Sequence, residues 1–327
     1  MGVAFESVDT PGGASRDGAG PADDRFAALA ERLKPFPVET CNAGEAHYDY
    51  TLRPYTTREA PQGGLRSTML LYQLLAGSQQ KQAWQRLIAS LRNGLGLHRT
   101  IWGIKLIDGR LSAELYFYFR ALSSARAHRE PAEAIPEPIT FAQVTAALAP
   151  ALRILPTYPR HAPAIMVSVD VNDEVLASGD IHELHVYFRS GLSYDVRVDS
   201  IEHANHYTFF ELAEMDRLRA LLEHQANGLL HASVCGVNIA PLLLPRLYSC
   251  RTLCLAAKRR TEGIYFAGID TTQLQWFMEH FEWPASTQSF LAGHAGDFAH
   301  VRWDVGLDFV ARDGAPHWVK RGVYGTL

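Results

Sequence analysis

The sequence predicts an α+β fold in which antiparallel β-hairpins alternate with helices, closing into a ten-strand barrel with its helices outside. The first observation behind this is a near-repeat: 114–120 (ELYFYFR) and 183–189 (ELHVYFR) agree at five of seven positions and share one alternation. The second is a series of turn signals between strand-like runs, and the third is a set of 3.6-spaced apolar segments between the hairpins. In a strand successive side chains point to opposite faces, so Glu114, Tyr116, Tyr118 and Arg120 share one face and Leu115, Phe117 and Phe119 the other. The second copy sets Glu183, His185, Tyr187 and Arg189 against Leu184, Val186 and Phe188. A sheet that is apolar on one side and polar-aromatic on the other packs its first face on helices and lines a solvated cavity with its second.

Taken in order, residues 1–23 are rich in Gly, Ala, Pro, Ser and Asp and read as a disordered tail, leaving 24–327 as a single domain of repeated αββα units. Helices are expected over Asp24 to Leu33 and Gln82 to Leu95, with a strand from His47 to Arg53 between them. Ile101 to Leu106 pairs with the first repeat across Asp108-Gly109, a dipeptide suited to a two-residue hairpin turn. Ile165 to Val171 pairs with the second repeat across a longer loop near Asn172 and Asp173, and Leu192 to Val198 adds a strand. Leu253 to Arg259 pairs with Ile264 to Ile269 across Glu262-Gly263, and Val301 to Phe309 with Trp318 to Tyr324 across Asp313-Gly314. Helices fill the intervals at Phe141 to Leu152, Glu211 to Gln225 and Gln273 to Phe281. The rival arrangement is two α+β lobes divided near Pro156 to Pro163, with the polar strand faces open to water.

Composition narrows the function. Hydrophobic residues make up 47% and charged residues 20% of 327, the balance of a folded globular chain. Thirty-one Lys and Arg against 35 Asp and Glu provide no broad basic surface for a phosphate backbone, so nucleic acid is not an expected partner. Four cysteines without CxxC spacing indicate neither a disulfide framework nor a structural metal site, and a reducing cytoplasm is the expected compartment. The apolar runs are too short to cross a bilayer. P-loop, GxGxxG, HExxH, GxSxG and DDxxD motifs are absent. His182 and His185 face opposite sides of one strand and could not share an ion; His203 and His206 have the same defect unless they lie in a loop, and no metal ligand is assigned. Cys250 and Cys254 read as core.

Phasing each strand so that its apolar set faces the helices collects Lys105, Arg120, Arg189, Lys258, Arg260, Arg302 and Lys320 on the other face, among Tyr116, Tyr118, Tyr187 and Tyr324. Glu114, Glu183, Asp304 and Asp308 join them. Such a lining suits a ligand with a polyanionic end and an apolar end, since Lys and Arg hold phosphate oxygens while aromatic faces pack on hydrocarbon or stabilise a cation. A solvated outer face is the plain alternative for each residue taken singly.

This combination of hairpins, helices and alternating basic and tyrosine positions, with 318–325 (WVKRGVYG) beside the two repeats, resembles the ABBA-type aromatic prenyltransferases in architecture. The resemblance implies a ten-strand barrel enclosing a reaction chamber. It also implies transfer of an allylic group from a prenyl diphosphate to an electron-rich aromatic small molecule, as in secondary metabolism, with no required cofactor and magnesium optional. On that reading Lys105, Arg120, Arg189, Lys258 and Lys320 hold the diphosphate, and Tyr116, Tyr118, Tyr187 and Tyr324 shield the carbocation. Glu114, with Glu183 second, orients or deprotonates the acceptor. Two further readings stay open: a non-enzymatic binding protein with an aromatic-lined pocket, and an enzyme of another class acting on a phosphorylated small molecule.

Overall fold

Ten antiparallel strands close into a single barrel, which excludes two separate lobes. This computed structural model describes residues 24–119, 138–158, 164–210, 214, 216 and 240–327; the tail over 1–23, Arg120 and all but two residues of the helix expected at 211–225 lie outside them. The barrel strands are β1 (Thr100–Ile107), β2 (Arg110–Tyr118), β4 (Ala164–Val171), β6 (Glu183–Phe188), β7 (Leu192–Arg197), β8 (Ile201–Phe210), β9 (Thr252–Lys258), β10 (Glu262–Ile269), β11 (Trp303–Arg312) and β12 (Ala315–Thr326). Around the barrel they follow the order β1-β12-β11-β10-β9-β8-β7-β6-β4-β2. Outside the barrel, β3 (Arg153–Ile154) pairs in parallel with β5 (Asp180–Ile181).

Turn chemistry sets the hairpins. Asp108 and Gly109 (φ 48° and 76°) and Asp313 and Gly314 (φ 51° and 74°) each put two consecutive residues at positive φ, as a two-residue turn with matching twist requires. The turn expected at Glu262-Gly263 lies earlier: Glu262 and Gly263 are already in β10, and Lys258 N–H donates to the Thr261 carbonyl. These turns, with that between β7 and β8 and the short helical link from β4 to β6, mark one end of the barrel, the hairpin end; the longer connections and the tight β6–β7 turn lie at the other.

The helices are α1 (Ala27–Leu33), α2 (Thr68–Leu75), α3 (Lys81–Leu95), α4 (Phe141–Leu148), α5 (Asp173–Ser178), α6 (Thr271–His280) and α7 (Ala285–Gly293). Capping boxes start two of them, Thr140 with Gln143 at α4 and Asp270 with Gln273 at α6. α3 lies tightly on α4, where a Cβ on Gly94 would stand 2.8 Å from that of Ala147. Three helices carry no amphipathic signal in the sequence. α2 is buried on nearly every side, so no polar face interrupts it; α5 replaces the expected loop after β4, capped by Asn172 and closed by Gly179 at φ 76°; α7 follows directly on α6.

Two corrections concern strands. His47 to Arg53 is not a strand: Asp49 Oδ1 accepts hydrogen bonds from the Thr51 N–H, the Thr51 hydroxyl and the Arg53 N–H (2.8, 2.7 and 3.1 Å), folding the segment into a tight turn. Its place in the barrel is taken by β8, whose sequence gives no clean alternation.

Buried apolar side chains form two clusters. The larger lies between barrel and helices and includes Leu115, Phe117, Trp102, Trp303 and Trp84. The smaller lies inside the barrel and contains Leu52, Ile101, Tyr116, Tyr118, Ile165, Met166 and Tyr324. A register shift between Ala164 and Met166 lets the adjacent Ile165 and Met166 both join the inner cluster. Among the described residues no helix is long and apolar enough to cross a membrane.

Candidate functional site in the barrel lumen

The lumen is a cavity of about 1020 Å³. Strand alternation delivers its lining: Lys105 on β1, Glu114, Tyr116 and Tyr118 on β2, His185 and Tyr187 on β6, Lys258 on β9, Asp304 on β11, and Lys320 and Tyr324 on β12. Tyr207 on β8 and Tyr265 on β10 join them, and Tyr50 enters from the turn at 49–53.

Five tyrosines form a continuous arc around the wall. Ring centroids lie 5.9 Å apart for Tyr207–Tyr187, 6.4 Å for Tyr187–Tyr116, 6.0 Å for Tyr116–Tyr324 and 6.4 Å for Tyr324–Tyr265. Tyr50 packs edge-on against Tyr116 and Tyr324, each at 5.3 Å. Glycines make room for two of these rings. A Cβ on Gly306 would lie 2.2 Å from Cδ1 of Tyr265, and one on Gly103 2.6 Å from Cδ1 of Tyr324. Gly306→Ala is therefore expected to drive the Tyr265 ring into the lumen and destabilise the fold by about 1–3 kcal/mol. Urea unfolding checks this, and a cost indistinguishable from zero would contradict the packing.

A layer of charge lies on the hairpin-end side of the tyrosines. Lys105 Nζ is 2.6 Å from both Glu114 Oε2 and Asp170 Oδ1. Tyr116 donates to Glu114 Oε2 at 2.6 Å, Tyr187 donates to Oε1 at 3.3 Å, and the Ser168 hydroxyl also donates to Oε1. Burial pushes the Glu114 carboxyl up, as does the nearby Asp170, yet the charges of Lys105 and His185 and the Lys105 hydrogen bond hold it below the ordinary value, so Glu114 is ionised. Across the lumen, Asp308 Oδ2 accepts from Lys258 and Lys320, each at 2.7 Å, and its Oδ1 accepts from the Tyr265 hydroxyl at 2.9 Å. Burial and the like charge of Lys320 outweigh Asp308 at Lys258, bringing that ammonium down to about 8. Lys320 is shifted upward.

His185 stands where the other copy of the repeat has Tyr116, and it adds a cation to this layer. Burial lowers its tendency to ionise, but hydrogen bonds to Asp170 (3.4 Å) and Asp195 (2.8 Å) bring it up to about 10, making it an imidazolium. Glu114, Asp170 and His185 lie close enough to resemble a metal ligand set. Lys105, bonded to both carboxylates, already places a cation between them.

Beyond the tyrosines, toward the other end, stands Asp304. Gly268, at φ 79° in a β-bulge of β10, turns its N–H onto Asp304 Oδ1 at 2.6 Å. The other oxygen, Oδ2, is buried without a hydrogen-bond partner among the described residues. Burial and the neighbouring Asp49 push this carboxyl well above its usual range.

The residues singled out in the sequence thus divide. Lys105, Lys258, Lys320, Glu114, Tyr116, Tyr118, Tyr187 and Tyr324 share the lumen. Arg189 and Arg260 also line it but lie at opposite ends, one just past β6 and the other in the β9–β10 turn. Glu183 does not line the cavity and pairs with Arg197 at the rim. Arg302 lies outside the cavity, with its backbone N–H donating to the Tyr55 hydroxyl. Cys254 faces the lumen, whereas Cys250 precedes β9 and is buried. Reasoning from the sequence missed Asp170, Tyr207 and Tyr265; the first and last follow from the same alternation on β4 and β10, and Tyr207 needed β8 to be recognised. No protein-family model and no curated protein matches the chain.

Proposed function

We propose that the lumen is the reaction chamber of an aromatic prenyltransferase of the ABBA type, which moves an allylic group from a prenyl diphosphate to an electron-rich aromatic small molecule. The observation that carries this reading is the arc of five tyrosines lying directly against a layer of buried ammonium groups within one cavity. The closed antiparallel barrel is compatible with that architecture. A polyanion and a carbocation demand opposite surroundings a few ångströms apart, and this layering supplies both.

In the proposed reaction Lys105, Lys258, Lys320 and the His185 imidazolium draw the diphosphate to the hairpin-end side. The allylic C–O bond breaks with both electrons leaving on the diphosphate, and the cation lies against the faces of Tyr116, Tyr187, Tyr265 and Tyr324. Burial keeps Tyr116, Tyr187 and Tyr265 as neutral phenols. An aromatic carbon of the acceptor forms the new C–C bond, and its ring proton passes to the departing diphosphate. Glu114, engaged by four donors, positions Lys105 and the two tyrosines in place of acting as a base. Asp304, with an oxygen uncommitted, orients the acceptor from the other side.

The test is calorimetric titration with a non-ionisable allylic diphosphate analogue, with and without magnesium, and with inorganic pyrophosphate as the charge control. Micromolar binding of the analogue, tighter than that of pyrophosphate, is expected; absence of binding by both would overturn the reading. The affinity also has an expected pH dependence. Lys258 loses its proton near pH 8 while Lys320 is shifted upward, so analogue affinity should fall as pH rises through about 8. The same titration on Lys258→Met should lack that step.

A further inference from the structure

We propose that Cys41, His47 and His300 form a binding site for a single borderline-soft divalent cation of the Zn²⁺ class, outside the lumen. Cys41 and His47 belong to the segment between α1 and α2, and His300 to the segment just before β11. Their ligand atoms all lie within 4.8 Å of one another, and Cys41 Sγ is 3.2 Å from His300 Nε2. Zinc–sulfur and zinc–nitrogen bonds of about 2.3 and 2.0 Å at a tetrahedral angle separate sulfur from nitrogen by about 3.5 Å, so small shifts would seat an ion.

A second, independent observation points to a ligand. His47 is nine-tenths buried, yet its Nε2 has no hydrogen-bond partner among the described residues. An unpaired imidazole nitrogen in such a place is costly unless something fills the space before it. All three side chains line a void of about 20 Å³, room for one water or one ion. A thiolate with two imidazoles is a donor set suited to zinc and its neighbours, and three protein ligands leave the fourth tetrahedral position to solvent.

The surroundings are built to keep this arrangement. Gly64 is required beside His300, since a Cβ there would lie 2.6 Å from Cε1 of that ring. Arg66, the nearby cation, is held in a two-pronged pair with Glu45 (3.0 and 2.6 Å), whose Oε1 also bonds His98 Nε2 at 3.0 Å. The carboxylate therefore offsets the guanidinium beside the site. Coordination would displace the Cys41 proton and release it to solvent. The bound ion would fasten the start of the turn carrying Asp49 and Tyr50 to the β11 entry, and so hold one wall of the lumen in place.

Cobalt titration of the full chain, stripped beforehand with a chelator, tests the site. The expected result is one equivalent of Co²⁺, with a thiolate-to-cobalt charge-transfer band and tetrahedral d–d absorption, both displaced by Zn²⁺. Cys41→Ser should abolish the charge-transfer band, and His47→Ala or His300→Ala should weaken binding about a hundredfold or more. Cys250→Ser and Cys254→Ser should leave it intact. No charge-transfer band in the unmodified chain, or a band that survives Cys41→Ser, would overturn the proposal and leave a buried thiol–imidazole hydrogen bond only. X-ray absorption on the zinc-loaded unmodified chain needs no variant to fold. One sulfur and two imidazole nitrogens in the inner shell support the site, and a shell of oxygens alone refutes it.

Discussion

Glu114→Ala is expected to destabilise the barrel by about 3 kcal/mol, the low end of what removing one partner of a buried ion pair costs. The carboxylate is 4% exposed and is the shared acceptor of Lys105, Tyr116, Ser168 and Tyr187. Deleting it leaves four buried donors short of an acceptor, although Lys105 keeps Asp170 and so is not stranded. Glu114→Gln keeps one acceptor oxygen but sets an NH2 against the donors that the other oxygen served, and should cost about 1–3 kcal/mol. The two carboxamide and carboxylate proteins should also converge in acid. Because the folded-state carboxyl lies below the ordinary glutamate value of 4.5, its contribution is complete above that pH and is lost as pH falls through the lower folded value. Denaturant unfolding of the three proteins across pH checks both statements. Equal stability of Glu114→Ala and the parent would mean that this hub does not hold the lumen together.

Asp308→Asn is expected to lower stability and yet tighten pyrophosphate binding by on the order of tenfold or more. The carboxylate lies between Lys258 and Lys320; on the proposed reading a diphosphate would need the same two ammonium groups, and the carboxylate would compete with it. Close charges of this kind interact by about 4 kcal/mol at an effective dielectric of 20, ample for such a change. The measurement belongs near pH 6, well under the value of about 8 for Lys258, so that both amines stay charged without their counter-ion. Calorimetry reads the result. Weaker or unchanged pyrophosphate binding would show that these lysines serve Asp308 alone.

Much of the barrel is legible because alternation survives in its strands. On β2 every second residue from Glu114 to Tyr118 is inward, and the Asp-Gly turns fix two hairpins at their tips. The strand count of ten agrees with the fold only because two errors offset each other. The segment at His47 to Arg53 alternates well enough to pass for a strand, but Asp49 captures its backbone; β8, which reads IEHANHYTFF, carries polar groups on both faces and gives no periodic signal. Lumen lysines follow from phase alone. What phase cannot supply is their pairing: Asp170 and Asp195, which make His185 a cation, come from β4 and β7 and meet it only through the registers of the closed sheet. The Cys41, His47 and His300 cluster is harder still, since its members come from irregular segments far apart in the chain.

Barrel closure depends on β12, which hydrogen-bonds to β1 on one side and β11 on the other. During synthesis β1 leaves the ribosome before the other barrel strands, and its partner for closure emerges after all of them. Until then both flanking strands present bare edges, the surface most prone to pairing with other chains. The inward tyrosines and lysines likewise remain in contact with water until the seam zips shut. The closing contacts join opposite ends of the strand order, so loop-closure entropy makes the last step slow and places it after translation of residues 315–326. A cell making this protein would therefore carry a window of exposure whose length is set by one strand, and chaperone demand should track the integrity of that seam more closely than the stability of the finished fold.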